Sequence, residues 1–122
     1  MKLLATSVLI EKKSKFLGFY FHCESENDIQ EALAFLKAEH KKATHICWAG
    51  RMTTPFYERA VDDGEPGGTA GRPILSVLQK QDRKNVMVAV VRYFGGIKLG
   101  AGGLVRAYAK ATAELLKEID KS

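Results

Sequence analysis

Three observations place this chain in the α/β (α+β) class, with about four strands and two or three helices. Residues 3–11 and 15–23 are two strand-like runs joined around Lys12 to Ser14. NVMVAVVR at 85–92 is apolar on both faces, the pattern of a strand covered on both sides. The C-terminal stretch repeats apolar residues at helical spacing, so a helix has to cover part of a sheet.

The elements follow in order. The second run carries Phe16, Leu17, Phe19, Tyr20 and Phe21, large residues on alternate faces that fit a buried strand. Ser25 or Asn27 can cap a helix reaching about His40, in which Ile29, Leu33 and Leu36 recur on one face. THICWAGR at 44–51 predicts a third strand, and Phe56 to Val61 has strand character. DDGEPGGTAGRP at 62–73 then mixes acids with turn formers before ILSVLQKQ resumes helical periodicity. Proline disfavours helical geometry in the residue before it and suits a first helical turn, so this helix is expected to begin at or near Pro73. The last helix is expected from about Gly102 to Asp120, with Leu104, Tyr108, Ala111, Leu115 and Ile119 on its core face and Val105, Thr112 and Leu116 beside them.

A length of 122 residues makes one domain, read as 1–122, large enough to fold around its own core. With 46% hydrophobic and 27% charged residues the composition is globular, which excludes disordered and fibrous classes. The net charge of +5 favours phosphate-rich partners. Cys23 and Cys47 lack metal or disulfide-framework spacing and read as reduced packing residues. MKLLATSVLI is followed by Glu11, Lys12 and Lys13 without a cleavage pattern, so it reads as a strand and not a signal peptide. No run reaches membrane-spanning length; a cytoplasmic protein is expected.

Function is concentrated in RYFGGIKLGAGGLVRAY at 92–108. Five glycines there accompany Arg92, Lys98 and Arg106 at the predicted start of the last helix. Glycine lets another group approach the backbone closely, and the unpaired N–H groups of a helix start face that group, so the expected partner is an anion. On the helix beyond, Arg106, Lys110 and Lys117 share a sector ~40° wide at ~100° per residue. With Arg92 and Lys98 they form a basic track suited to a phosphate backbone. The alternative for the helix alone is a solvated surface softened by Glu114 and Glu118. Tyr93, beside Arg92, is the best candidate to stack on a base, ahead of Trp48 and Phe94.

Other chemistries fit less well. GGIKLGAGG at 95–103 lacks the Lys-Ser/Thr ending of a nucleotide-binding P-loop, and no acid follows at the spacing of a dinucleotide fold. Asp62, Asp63 and Glu65 offer oxygen ligands, but a turn of this composition needs its acids for its own N–H groups, so no metal is expected. His45 and Cys47 share a strand face without an identifiable third group, which argues against a nucleophile and its base. The sequence predicts no cofactor.

DGEPGGTAGRPIL at 63–75, NVMVAVVRYFGGIKLGAGGLVRAY at 85–108 and THICWA before them resemble the signature of the IMPACT family, which includes the bacterial YigZ proteins. The likeness runs from about residue 11 to the end, and the second motif is long enough to be specific. It implies the fold of ribosomal protein S5 domain 2, a two-layer sandwich shared with translocase domains and the ribonuclease P protein, a topology the residues alone do not select. The resemblance further implies translation-related regulation, since eukaryotic members resemble regulators that interfere with activation of an amino-acid-starvation kinase through partner binding involving an additional N-terminal domain. Family members usually add a ferredoxin-like domain after the last helix, where this chain stops at Ser122. Position 67 is Gly where members often have Ser, which weakens any role for a hydroxyl there.

The expectation is therefore an RNA- or ribosome-associated domain without catalytic residues. Arg72, Arg92, Lys98, Arg106 and Lys110 would contact phosphates, Tyr93 a base, and Gly96, Gly100, Gly102 and Gly103 would permit close approach. The rivals are a phosphometabolite-binding enzyme of the sugar- and mevalonate-kinase type, whose loop serines are missing here, and a module that binds an acidic protein partner.

Overall fold

In the computed structural model, which describes residues 1–121, the elements are β1 (Lys2–Glu11), β2 (Ser14–His22), α1 (Glu26–Glu39), β3 (His45–Thr53), β4 (Phe56–Val61), α2 (Gly71–Lys80), β5 (Val86–Tyr93) and α3 (Gly100–Asp120). The sheet is antiparallel throughout in the order β1-β2-β5-β3-β4, so the α+β class holds, with five strands instead of about four. Lys12 and Lys13 turn between β1 and β2 with φ of 46° and 66°, the left-handed pair of a hairpin turn that matches strand twist.

β5 is central, and its alternation decides the layers. Val86, Val88 and Val90 point to one face, where α2 and α3 pack with Ile74, Leu78, Leu104, Tyr108 and Leu115. Ile119 packs at the margin of this cluster. Met87, Ala89 and Val91 point to the other face, which α1 covers with Ile29, Leu33 and Leu36 together with Trp48 from β3. The sheet is therefore sheltered by two helices on one side and one on the other. Val105, expected beside the core stripe of α3, is 39% exposed, because the helix packs on the narrower face centred on Leu104, Tyr108 and Leu115.

Helix starts depend on where their N–H groups find acceptors. Ser25 caps α1, its Oγ accepting from Asp28 N at 3.1 Å. α2 begins at Gly71, two residues before Pro73, because Asp62, on the preceding loop, accepts from Ala70 N at 3.1 Å and Gly71 N at 2.9 Å. That leaves Arg72 helical and puts Pro73 in the first turn, where its missing N–H costs nothing. Gly71 fits because a Cβ there would stand 2.4 Å from Val61 N, at the end of β4. α3 starts two residues earlier than expected, at Gly100, with no side chain capping it. No helix among the described residues is long and apolar enough to cross a membrane.

Candidate functional site

One end of the sheet collects the hairpin turn at 12–13, the starts of β2 and β3, the end of β5, the 62–70 loop and the start of α3. The three acids of the 62–70 loop each bind it to a different neighbour. Asp62 accepts from Gly68 N at 2.9 Å as well as from the start of α2. Burial disfavours its charge, yet the bonds from Gly68, Gly71 and Ala70 and the nearby Arg72 outweigh this and hold its carboxyl below the usual carboxylate range. Asp63 accepts from Ile46 N at 2.7 Å. Glu65 is the buried one: its side chain is only 3% exposed and reaches back across the sheet end.

Arg92 meets it there. Its Nη1 donates to both Glu65 oxygens at 3.1 and 2.8 Å, and its Nε and Nη2 lie 3.4 and 3.2 Å from Ser14 Oγ. Tyr108 of α3 donates to Glu65 Oε2 at 2.5 Å; burial and the adjoining acidic groups push its phenol far upward, so it stays a neutral donor. His45 donates from Nδ1 to the Asp63 carbonyl at 2.8 Å, while Nε2 stands 3.3 Å from Glu65 Oε1. Glu65 is thus the third group that the His45–Cys47 pair lacked in sequence. It does not make a nucleophile of Cys47, because burial pushes that thiol up to about 12.

This network revises two expectations. Arg92 is 5% exposed and committed to Glu65 and Ser14, so its charge serves the fold and is not presented to a phosphate. Tyr93 follows Arg92 on an extended strand and points to the opposite face, where its hydroxyl bonds His40 Nδ1 at 2.6 Å. The aromatic residue on the site side is Phe94, 47% exposed, with the Arg92 guanidinium 5.4 Å from its ring centre.

The other expected residues lie around α3. Its first turn, Gly100 to Gly103, separates two cavities that share Leu99. One, of about 320 Å³, is lined by Glu11, Lys12, Gly103, Arg106 and Lys110 among others. The second, of about 410 Å³, lies between the 62–70 loop and α3, with Lys98, Gly100 and Ala101 along one side. Lys98 and Arg106 are exposed and form no salt bridge among the described residues, whereas Lys110 reaches Glu11 at 3.4 Å. Gly96 and Gly100 take φ of 91° and 74° and face open space, and Gly102 faces only the tip of Arg106. Gly103 is held against Leu99, 3.1 Å from where its Cβ would be. Arg72 is exposed on α2 and lines neither cavity.

Sequence reasoning missed Ser14, Lys12 and Gly95. Gly95 is demanded by packing, since a Cβ would fall 2.0 Å from the Lys13 carbonyl oxygen, and its N–H bonds Ser14 Oγ at 3.2 Å. Two positive-φ lysines before a buried serine gave a hairpin signal but no signal of a site. No group of three His, Cys, Asp or Glu among the described residues is placed to hold a metal ion.

Comparison with known proteins gives this arrangement a family. The chain is 46% identical over 112 residues to an IMPACT family member of Haemophilus influenzae, covering 89% of this chain and 54% of that protein. It is 37% identical over 111 residues to the IMPACT family member YigZ of Escherichia coli, covering 88% and 54%. The chain thus spans about half the length of these curated relatives. Among solved structures, a crystal structure of a hypothetical protein superposes with a TM-score of 0.89 at 35% identity, over 97% of this chain and 62% of that one. The two-domain translational regulator Yih1 superposes with a TM-score of 0.67 at 26% identity, over 98% and 46%. Residues 12–116 match the Impact N-terminal domain, and with these relatives the match shows that the chain belongs to the IMPACT family.

Proposed function

We propose that this chain is a translation-related regulatory domain of the cytoplasm that binds the phosphate backbone of RNA, alone or within the ribosome, across the start of α3. The regulatory context is supported by the likeness to Yih1, a translational regulator. The binding mode rests on one observation. Exposed Lys98 and Arg106 flank a helix start that has no capping side chain, no acid in its first turn and nothing larger than a methyl group from 100 to 103. Unpaired N–H groups at such a start carry partial positive charge, and the low glycine saddle lets a phosphate reach them. Lys110 and Lys12 extend the basic surface on the side of the first cavity. In this reading Arg92 and Glu65 hold the platform, while Lys98, Arg106 and the saddle touch the ligand.

RNA affinity measured by fluorescence anisotropy over a range of salt concentrations tests it. Bound phosphates release counterions, so log K should fall linearly with log salt. Lys98→Ala and Arg106→Ala should each lower the slope by about 0.7–0.9, to a similar extent for unrelated RNA sequences. Absence of RNA binding at low salt, with saturable binding of an acidic protein instead, overturns the reading in favour of a protein-partner module.

A further inference from the structure

The second cavity is more than a continuation of the basic surface. Its volume of about 410 Å³ is that of a small-ligand pocket and admits one nucleotide-sized group, not a length of strand. Its walls are apolar, with Phe94, Leu99 and Leu104, while its floor is the Glu65–Arg92 pair with His45 and its mouth carries Lys98. A bare phosphate would leave the apolar walls unused, and an apolar ligand would leave the exposed Lys98 ammonium and the Thr44 hydroxyl proton at the rim without a partner. A ligand with a flat face, hydrogen-bonding edges and an anionic group at one end satisfies all three surfaces. Phe94 is the decisive residue. It follows the last strand residue, remains 47% exposed where it lines the cavity, and has the Arg92 guanidinium 5.4 Å from its ring centre.

We propose that this cavity takes one nucleoside monophosphate unit of a single-stranded RNA, its base stacked on Phe94 above the Glu65–Arg92 floor and its phosphate held at the mouth by Lys98. The inference rests on the reading of the α3 start as a phosphate-binding surface. Thr44 contributes at the edge: its Oγ accepts from Phe94 N at 2.9 Å, which leaves its hydroxyl proton to donate to a base. A duplex keeps its bases stacked inside, so only an unpaired nucleotide enters without an opening penalty. The base edge meets side chains here, so the pocket adds some base preference to a surface that otherwise reads only the backbone.

The test compares Phe94→Ala with wild type on a short single-stranded RNA and on a duplex of equal length, at several salt concentrations. Loss of one stacked base should weaken single-strand binding about tenfold or more while leaving the salt slope and duplex binding unchanged. Phe94→Trp should retain the affinity, with its emission quenched by the single strand, which separates loss of stacking from loss of fold. An unchanged single-strand affinity in Phe94→Ala, or equal binding of single strand and duplex, overturns the pocket, while a salt slope that still responds to Arg106→Ala leaves the backbone reading standing. AMP and UMP titrated alone, followed through the amides of Thr44, Phe94 and Lys98, separate the two sources of the ligand. A strand-presented nucleotide predicts mononucleotide binding about a hundredfold weaker than that of the oligonucleotide. Equal affinities overturn the strand and make the cavity a site for a free nucleotide.

Discussion

The 62–70 loop and the 94–103 segment have much in common: both are rich in glycine, both carry charge, and both sit at the same end of the sheet. They differ in who satisfies their charges. In the first, Asp62, Asp63 and Glu65 are spent on N–H groups, His45 and Arg92. In the second, Lys98 and the helix start have no partner side chain among the described residues, and Arg106 just beyond forms no salt bridge there. A glycine-rich charged motif is therefore not one kind of feature. Where the partners of its charges lie decides whether it builds the platform or offers a surface.

The comparison breaks most visibly at Arg92. Arg92→Ala leaves Glu65 buried without its guanidinium partner, and equilibrium denaturant unfolding should show a loss of about 3–5 kcal/mol. A loss below 1 kcal/mol would mean that water reaches Glu65 and that the first loop is less committed to the fold than its geometry implies. Asp62→Ala should cost about 1–2 kcal/mol, because three backbone N–H groups lose their acceptor at once. Its pH dependence has a definite sign. The folded carboxyl lies below its ordinary value of 3.8, so its contribution is complete above about pH 4 and is lost as pH falls through the lowered folded value. Urea midpoints of wild type and Asp62→Ala should therefore converge as the pH is taken below 4.

The second segment responds in the opposite sense. Gly102→Ala should stabilise α3 by about 0.5–1 kcal/mol, since its Cβ meets only the flexible Arg106 tip, 3.3 Å away, and alanine favours a helix. The same change should weaken RNA binding in the anisotropy assay by narrowing the saddle, so stability and affinity move apart. The smallest thermal effect belongs to Lys98→Ala and Arg106→Ala, whose unfolding free energies should stay within about 0.5 kcal/mol of wild type while their salt slopes fall.

These regions also mark how far the sequence can be read. β5 and α3 were legible because period two and period 3.6 report which face is buried, and Val86, Val88, Val90, Leu104 and Leu115 meet in one cluster as expected. Of the three acids expected to serve the turn's own N–H groups, Asp62 does so, whereas Asp63 accepts from Ile46 N on β3 and Glu65 is buried against Arg92. The site floor was not legible: Glu65 finds Arg92 at a separation of 27 residues and Tyr108 at 43, and no local pattern encodes such a pairing. Arg92 read as a phosphate ligand because a basic residue beside glycines has the same local appearance whether its carboxylate partner is a distant loop or absent. Tyr93 and Phe94 were exchanged for a simpler reason. Strand alternation runs to the last residue of β5, so Tyr93 faces the α1 side and it is Phe94 that lines the cavity.

Where Gly95 lies flush on the Lys13 carbonyl, two loops far apart in the chain are held in direct contact. The absent Cβ leaves no space for them to slide, and Ser14 Oγ ties Gly95 N–H and the Arg92 guanidinium to the same spot. Lys12, on the wall of one cavity, and Phe94 and Lys98, on the wall of the other, therefore ride on a common frame. The walls of the two cavities are thus anchored at one and the same contact.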